Sequence, residues 1–302
     1  MIDLHLHTNH SDGTDSVEQL LKNAQKLNME IISITDHDTI NAYKEIENNK
    51  HLLDLYNGKI ITGVEIKAIY NGYNIEVLGY GFDYNKLIIR KPDVEKIQIE
   101  NLEYFKSVAK RYGLRIDESI CVNRENPTQR WGAMVFSEEL IKYPENIERL
   151  KELNEADFSK MNFYRDGESN KNSVFYVDTS KYYPTIEQVI EDIHNAGGLA
   201  FLAHPCIYPF ENIEKEVENI LSSTYIDGVE CKYPLFSNEQ KDSMKNLCKK
   251  YNKYMSGGSD YHADFKPDVN MGTGINNNLN ISKELVSDWI SQLEGFCDRN
   301  KI

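Results

Sequence analysis

Residues 1–15, MIDLHLHTNHSDGTD, decide the reading of the chain. Apolar Ile2, Leu4 and Leu6 alternate with polar Asp3, His5 and His7, the two-residue period of a strand, so His5 and His7 share a face. Turn-type residues 9–14 follow. Val17, Leu20, Leu21, Ala24 and Leu27 then recur at helical spacing behind the candidate caps Asp15 and Ser16. The unit repeats at once, with a buried-type strand over 30–35 (EIISIT), a loop over 36–38 and a helix over 40–48.

Working outward, strands are expected over 59–66 and 74–80, separated by the turn pair Asn71-Gly72. A helix over 185–196, closed by Gly197-Gly198, leads into a strand over 199–203. Strand 226–231, helix 238–251, short strand 253–256 and a terminal helix over 283–296 with Trp289 on its apolar side complete the alternation. Such alternation predicts an α/β class with a parallel sheet or barrel. The middle breaks the rhythm: 97–112 and 137–142 read as helical and 163–173 as a polar loop. The expected organisation is a barrel made of 1–85 and 185–302, with 86–184 an inserted, mostly helical lobe.

The 302 residues are 40% hydrophobic and 27% charged, and no apolar run approaches the roughly 18 residues that cross a bilayer. The expectation is no membrane span. Lys and Arg number 34 against 48 Asp and Glu, a net charge of −14 that disfavours duplex DNA as a partner. The five cysteines are odd in number and contain no C-x-x-C pair, so they read as reduced thiols. No apolar leader core precedes MIDLHLH, and the expected location is cytoplasmic.

Polar residues gather at the ends of the expected strands. His5 and His7 end the first, Asp36 and His37 follow the second, Glu65 ends the third and Glu76 lies within the fourth. His204 follows LAFLA, and Asp260 and His262 follow the strand near Met255. In α/β frames the carboxyl ends of strands meet at one face, so these groups are expected to converge. Imidazoles and carboxylates are the ligands of hard to borderline divalent ions, and there are too many here for one four-coordinate zinc. A lone His after a strand is ordinarily a hydrogen-bonded loop residue; the recurrence at successive strand ends points to a multinuclear centre. His10, His51 and His194 do not repeat the pattern. Asp36 is read as orienting His37, Asp38 as a helix cap, and Glu230 as a residue that could reach the rim.

The ordered motifs H-x-H-T...S-D-G-T, I-T-D-H-D, G-V-E, L-A-H-P and G-S-D-Y-H resemble the PHP (polymerase and histidinol phosphatase) family. NAGGLAFLAHP, the long insertion and G-Y-G-F-D resemble its bacterial metal-dependent phosphoesterases of nucleotides and short RNA. The resemblance implies a distorted seven-stranded β/α barrel holding two to three divalent ions (Mn, Fe or Zn). His5, His7, Glu65 and Asp260 would hold one ion, and Glu65 would bridge to a second bound by His204. Asp12, His37 and His262 would hold a third. On sequence alone Asp12 is nearly as readily a turn or helix-start residue of S-D-G. The family usually has His before L-G-Y, where this chain has Glu76, a harder ligand that would favour Mn²⁺ or Fe²⁺ over Zn²⁺.

Asp12, Glu65, Asp260 and His262 are thus the catalytic candidates, acting through a hydroxide shared by two ions that attacks phosphorus in line. Arg130 in T-Q-R-W-G matches an arginine of related nucleotide phosphatases and is the substrate-binding candidate, in a lobe expected to cover the barrel mouth. Neither G-x-S-x-G nor a phosphate-cradling G-x-x-x-x-G-K-[ST] loop occurs, which excludes the serine-hydrolase and P-loop readings. The expected reaction is hydrolysis of a phosphomonoester on a small nucleotide of the nucleoside 3',5'-bisphosphate type, or 5' cleavage of short oligoribonucleotides. Histidinol-phosphate phosphatase is the alternative enzyme, and a noncatalytic metal-stabilised module is the alternative of another class.

Overall fold

In the computed structural model, which describes residues 1–123, 131–158, 162–178 and 181–296, the opening strand β1 (Ile2–Leu6) is buried along its whole length. Its polar face is therefore interior: Asp3, His5 and His7 are fully buried alongside Leu4 and Leu6. Isolated buried charges of this kind are costly unless they are paired or ligate an ion.

The chain forms two compact units. The first comprises Met1–Tyr70, Ile75–Arg90 and Pro184–Ile302. After β1 come α1 (Val17–Lys26), β2 (Ile31–Ile34), α2 (Asn41–Asn48), β3 (Lys59–Tyr70) and β4 (Tyr73–Tyr80). The seven strands lie side by side in sequence order, with β5 (Leu199–Leu202), β6 (Gly228–Lys232) and β7 (Tyr254–Gly257) on the far side of β4. The segment after β7 returns to β1, where the His7 N–H donates to the Tyr261 carbonyl and the Asp260 N–H to that of His5, both at 2.9 Å. The result is a nearly closed α/β barrel.

The expected all-parallel frame needs one correction. β1, β2 and β3 are parallel, as are β5, β6 and β7, whereas β4 and β5 are antiparallel. The reason is local. Only Asn71-Gly72, both with positive φ (49° and 75°), joins β3 to β4, and a two-residue turn reverses the chain, whereas a parallel neighbour needs a long crossover. Reversal places Glu76, in the first half of β4, level with the carboxyl ends of the neighbouring strands, and its carbonyl accepts the Ala203 N–H at 3.0 Å.

Helix starts in this unit are written in the sequence. Ser16, Thr185 and Ser237 each accept from the N–H three residues on, while Gln19, Gln188 and Gln240 reach back to the cap N–H. Each box satisfies two otherwise unpaired donors and contributes about 1 kcal/mol.

The second unit comprises Asn71–Asn74 and Lys91–Tyr183. It contains α3 (Val94–Tyr112), α4 (Gly132–Leu140) and α5 (Pro144–Glu152). Its core is aromatic: Phe105, Phe136, Phe158, Phe163 and Phe175 pack together, with Phe105 edge-on to Phe163 at 5.1 Å. The stretch 163–173, expected to be loop, opens with a helical turn at Tyr164–Glu168, because Phe163 is drawn into this core.

The remaining elements belong to the first unit: α6 (Ile186–Asn195), α7 (Ile213–Ser223), α8 (Asn238–Tyr251) and α9 (Lys283–Ile290). The terminal helix is shorter than its apolar pattern suggests and stops at Ile290. Trp289 on it is buried, stacks on Tyr80 and packs at a tilt against Phe201. Among the described residues no helix is long and apolar enough to cross a membrane.

Candidate metal centre

Glu65, midway along β3, is the hub. Its Oε2 lies 3.1 Å from His5 Nε2 and 3.3 Å from both His7 Nε2 and His37 Nδ1, while its Oε1 lies 2.8 Å from His204 Nε2. Asp260 faces the same space: its Oδ1 is 3.5 Å from His5 Nε2 and 3.3 Å from His7 Nε2. His5, His7, Glu65 and Asp260 thus offer four ligand atoms all within 4.8 Å of one another.

Two further groups adjoin this one. His7, Asp12, His37 and His262 converge with the same compactness, with Asp12 Oδ1 3.0 Å from His262 Nε2. His37, Glu65 and Glu76 form the third. His204 reaches it as well, its Nε2 lying 3.4 Å from Glu76 Oε2. Every residue expected to ligate an ion is therefore in one cluster, including Asp12, for which the sequence alone makes the turn reading nearly as strong. Arg130 lies outside the described residues.

The donor set fits divalent ions. His7 Nε2, Asp12 Oδ1 and His262 Nε2 are buried and have no hydrogen-bond partner, although carboxylate and imidazole atoms lie within 3.0–3.6 Å of them. Such proximity without hydrogen-bond alignment means that lone pairs aim at common points between the residues, the arrangement that a cation completes.

The electrostatics agree. Burial opposes the charge on Glu65, yet His5, His37 and His204 hold its carboxyl well below the usual range. Burial likewise opposes the charge on Asp260, which Lys266, His5, His7 and His262 hold well down. Against burial, Glu65, Asp12 and Glu76 raise His37 to about 9. Burial and the neighbouring His7 lower His262. Glu65 and Asp260 are thus held toward their carboxylate forms, and cations bound there would displace imidazole protons.

Backbone strain accompanies these positions. His204 and Asp260, both expected ligands, have positive φ values of 24° and 57°. Non-glycine residues hold such conformations only where surrounding packing imposes them. Gly258 shows how tight that packing is, since a Cβ there would lie 2.2 Å from the His5 Cβ.

Three supporting residues act differently from their sequence readings. Asp36 accepts from the Thr8 N–H and from the Thr8 and Ser11 hydroxyls, all at 2.7 Å, so it orders the loop that carries Asp12 and makes no hydrogen bond to His37 among the described contacts. Asp38 accepts the Lys67 N–H at 3.2 Å and caps nothing; α2 begins after Ile40 with no side-chain cap. Glu230 is fully buried, with Oε1 3.0 Å from His5 Nδ1 and Oε2 accepting the His204 N–H at 2.9 Å. It positions two of the expected ligands at once.

Asp3, Tyr233 and Lys266 were not anticipated. Asp3 accepts N–H groups of His5, Ser259 and Gly272, tying β1 to the chain beyond β7, and burial pushes its carboxyl up to about 6. The Tyr233 hydroxyl donates to Asp260 Oδ2 at 2.7 Å, and Lys266 Nζ lies 2.6 Å from the same oxygen. Asp3 shares the polar face of His5 and His7 and was legible in that alternation. Nothing local marks the other two.

His10 is half-buried and pairs with Glu45 at 2.6 Å, and His194 pairs with Asp227 at 2.7 Å. Neither joins the cluster, and His51 is exposed.

Residues 3–261 match the PHP domain family. The chain belongs to the PHP domain family. Among curated PHP relatives, a 5'-3' exoribonuclease of Escherichia coli is 27% identical over 267 residues, covering 86% of this chain and 84% of its own. A phosphoribosyl 1,2-cyclic phosphate 1,2-diphosphodiesterase of Eggerthella lenta is 24% identical over 275 residues, covering 87% and 94%. Among solved structures, a candidate metal-dependent phosphoesterase from Bifidobacterium adolescentis superposes with a TM-score of 0.61 at 19% identity, over 97% of this chain and 94% of its own. The last comparison speaks to the PHP barrel fold alone.

Proposed function

We propose that this PHP-domain hydrolase of phosphoester bonds removes phosphate from small nucleotides of the nucleoside 3',5'-bisphosphate type, or trims short oligoribonucleotides from the 5' end. The observation that carries the reading is the convergence of nine side chains, His5, His7, Asp12, His37, Glu65, Glu76, His204, Asp260 and His262, around one small space with unpartnered ligand atoms aimed into it. The coverage of an exoribonuclease and of a cyclic phosphodiesterase over most of their lengths supports phosphorus as the electrophile.

Two to three divalent ions held there would supply Lewis acidity to the phosphoryl group and lower the pKa of bound water toward neutrality. His5, His7, Glu65 and Asp260 are assigned to one ion, Glu65, Glu76 and His204 to a second, and Asp12, His37 and His262 to a third. Glu230 sets the His5 ring by its contact with Nδ1, leaving Nε2 for ligation. Tyr233 fixes one oxygen of Asp260 and leaves the other facing His5 and His7. Burial of the inner residues keeps competing water from those ligand atoms while Asp12, His37 and Glu76, each roughly a third exposed, form the open side. Glu76 adds a carboxylate where an imidazole would be neutral, and this favours Mn²⁺ or Fe²⁺.

The test is phosphate release from a nucleoside 3',5'-bisphosphate and from 5'-phosphorylated triribonucleotides with Mn²⁺, with histidinol phosphate and a five-membered cyclic phosphate as comparison substrates. Nucleotide turnover that is lost on chelation, together with at least two ions per chain by elemental analysis, is the expected result. One ion or fewer per chain, or turnover of histidinol phosphate alone, defeats the proposal.

A further inference from the structure

Lys266 stands where the Asp260 carboxylate leaves the cluster. It follows the short helical turn Ala263–Phe265, which Ala263 enters with a positive φ of 53°. That conformation is unfavourable for alanine by about 1 kcal/mol or more, and here it folds the chain back so that Lys266 faces the residue six positions earlier. The ammonium lies 2.6 Å from Asp260 Oδ2, and its charge also acts on Glu65 and Asp12. Its side chain is about one-third exposed (34%), whereas that of Asp260 is nearly buried (6%), so the cation lies at the boundary between the cluster and solvent.

Asp260 does not depend on Lys266 for a partner, because the Tyr233 hydroxyl already donates to the same oxygen at 2.7 Å. An ammonium has three donors, and one contact to Asp260 leaves capacity for an arriving acceptor. When cations occupy the cluster they also compete for the charge of Asp260, which weakens the attraction holding Lys266 there. An anion with several oxygens, arriving from the solvent side, meets this ammonium beside the candidate ligands His262 and Asp12.

We propose that Lys266 is a substrate-binding residue that hydrogen-bonds a non-bridging oxygen of the phosphoryl group during hydrolysis. The inference rests on the phosphoester reading above and adds the protein cation that holds the phosphoryl group beside the ions. No covalent step is involved. Lys266 contributes one charge-assisted hydrogen bond and, through it, favours phosphoryl dianions over neutral esters.

The experiment measures orthophosphate binding calorimetrically to the full-length Mn²⁺-loaded protein and to its K266A, K266Q and K266R variants, with elemental analysis of each. Loss of a hydrogen bond between charged groups predicts about a 10- to 100-fold weaker orthophosphate affinity in K266A and K266Q. K266R should return to within about threefold of the parent. All three should keep their metal. Orthophosphate affinity within twofold of the parent in K266Q overturns the proposal, and so does a parallel loss of metal, which would make Lys266 a positioning residue for Asp260. K266Q keeps most of the side chain, one atom shorter, and an uncharged donor if K266A folds poorly. Orthophosphate binding is independent of turnover. A parent protein that hydrolyses no nucleotide but loses orthophosphate affinity on substitution would therefore defeat the nucleotide reading and leave the Lys266 inference standing.

Discussion

Glu230→Gln separates charge from shape at the buried base of the cluster. In the parent, Glu230 Oε2 accepts the His204 N–H at 2.9 Å and Oε1 faces His5 Nδ1 at 3.0 Å. A carboxylate only accepts, so His5 donates from Nδ1, and Nε2 is the nitrogen that would ligate an ion. Glutamine has one acceptor. If its oxygen keeps the His204 N–H, its amide group faces His5 Nδ1 and drives the proton to Nε2, the atom 3.1 Å from Glu65 Oε2. If it flips, two N–H donors oppose each other at His204, at a cost of about 1–3 kcal/mol.

Either arrangement forfeits a hydrogen bond to a charged group, about 1.5–3 kcal/mol, or about 10- to 100-fold in affinity for the ion that His5 would ligate. The metal-free protein should lose about the 1–3 kcal/mol of the mismatched contact itself, with the side-chain volume conserved, and the metal affinity loss should come in addition to it. Chelator-competition titration with Mn²⁺, alongside denaturant unfolding of the metal-free protein, reads both quantities. If the tightest site of the E230Q variant binds within twofold of the parent, the argument that Glu230 sets the His5 tautomer is wrong.

Gly258→Ala would place a Cβ 2.2 Å from the His5 Cβ and 2.5 Å from its backbone nitrogen; overpacking of about 1–3 kcal/mol should lower the melting temperature by several degrees and weaken metal binding. An unchanged melting curve would contradict the packing described between β7 and β1. The His194–Asp227 contact at 2.7 Å raises the imidazole above its ordinary value, against partial burial. A raised histidine contributes stability that is full below the unfolded value of about 6.5 and is lost as pH rises through the folded value. His194→Ala should therefore destabilise the protein at pH 5–6 by about 1 kcal/mol or less, given the exposure of the pair, and much less once pH has risen past the raised folded value. Denaturant midpoints at the two ends of the range check the sign, and a larger loss at high pH would reverse it.

Much of the barrel was legible because its signals are local. The alternation in IDLHLH, the helical spacing after Ser16 and the S/T-x-x-Q caps each act over a few residues. The helix α7 was also legible through Val217, Ile220 and Leu221 behind Asn212, yet it was not anticipated, because the preceding PFEN reads as loop. Direction was readable at Asn71-Gly72 only by giving that turn precedence over the surrounding strand-helix rhythm.

By itself, then, the sequence determined the alternating elements, the residue types able to ligate ions and their placement near strand ends. Only the tertiary structure decided the partnerships. Glu65 meets His204 at a sequence separation of 139 and Glu230 meets His5 at one of 225, separations over which sequence periodicity carries no distance information. Tyr233 and Lys266 lie outside any ligand motif, and they reach Asp260 because a left-handed turn at Ala263 and the packing of β6 against β7 bring them there. Chemistry is carried by the side chain and can be read one residue at a time; coordination requires atoms a few ångströms apart, and that is set by the closure of the barrel.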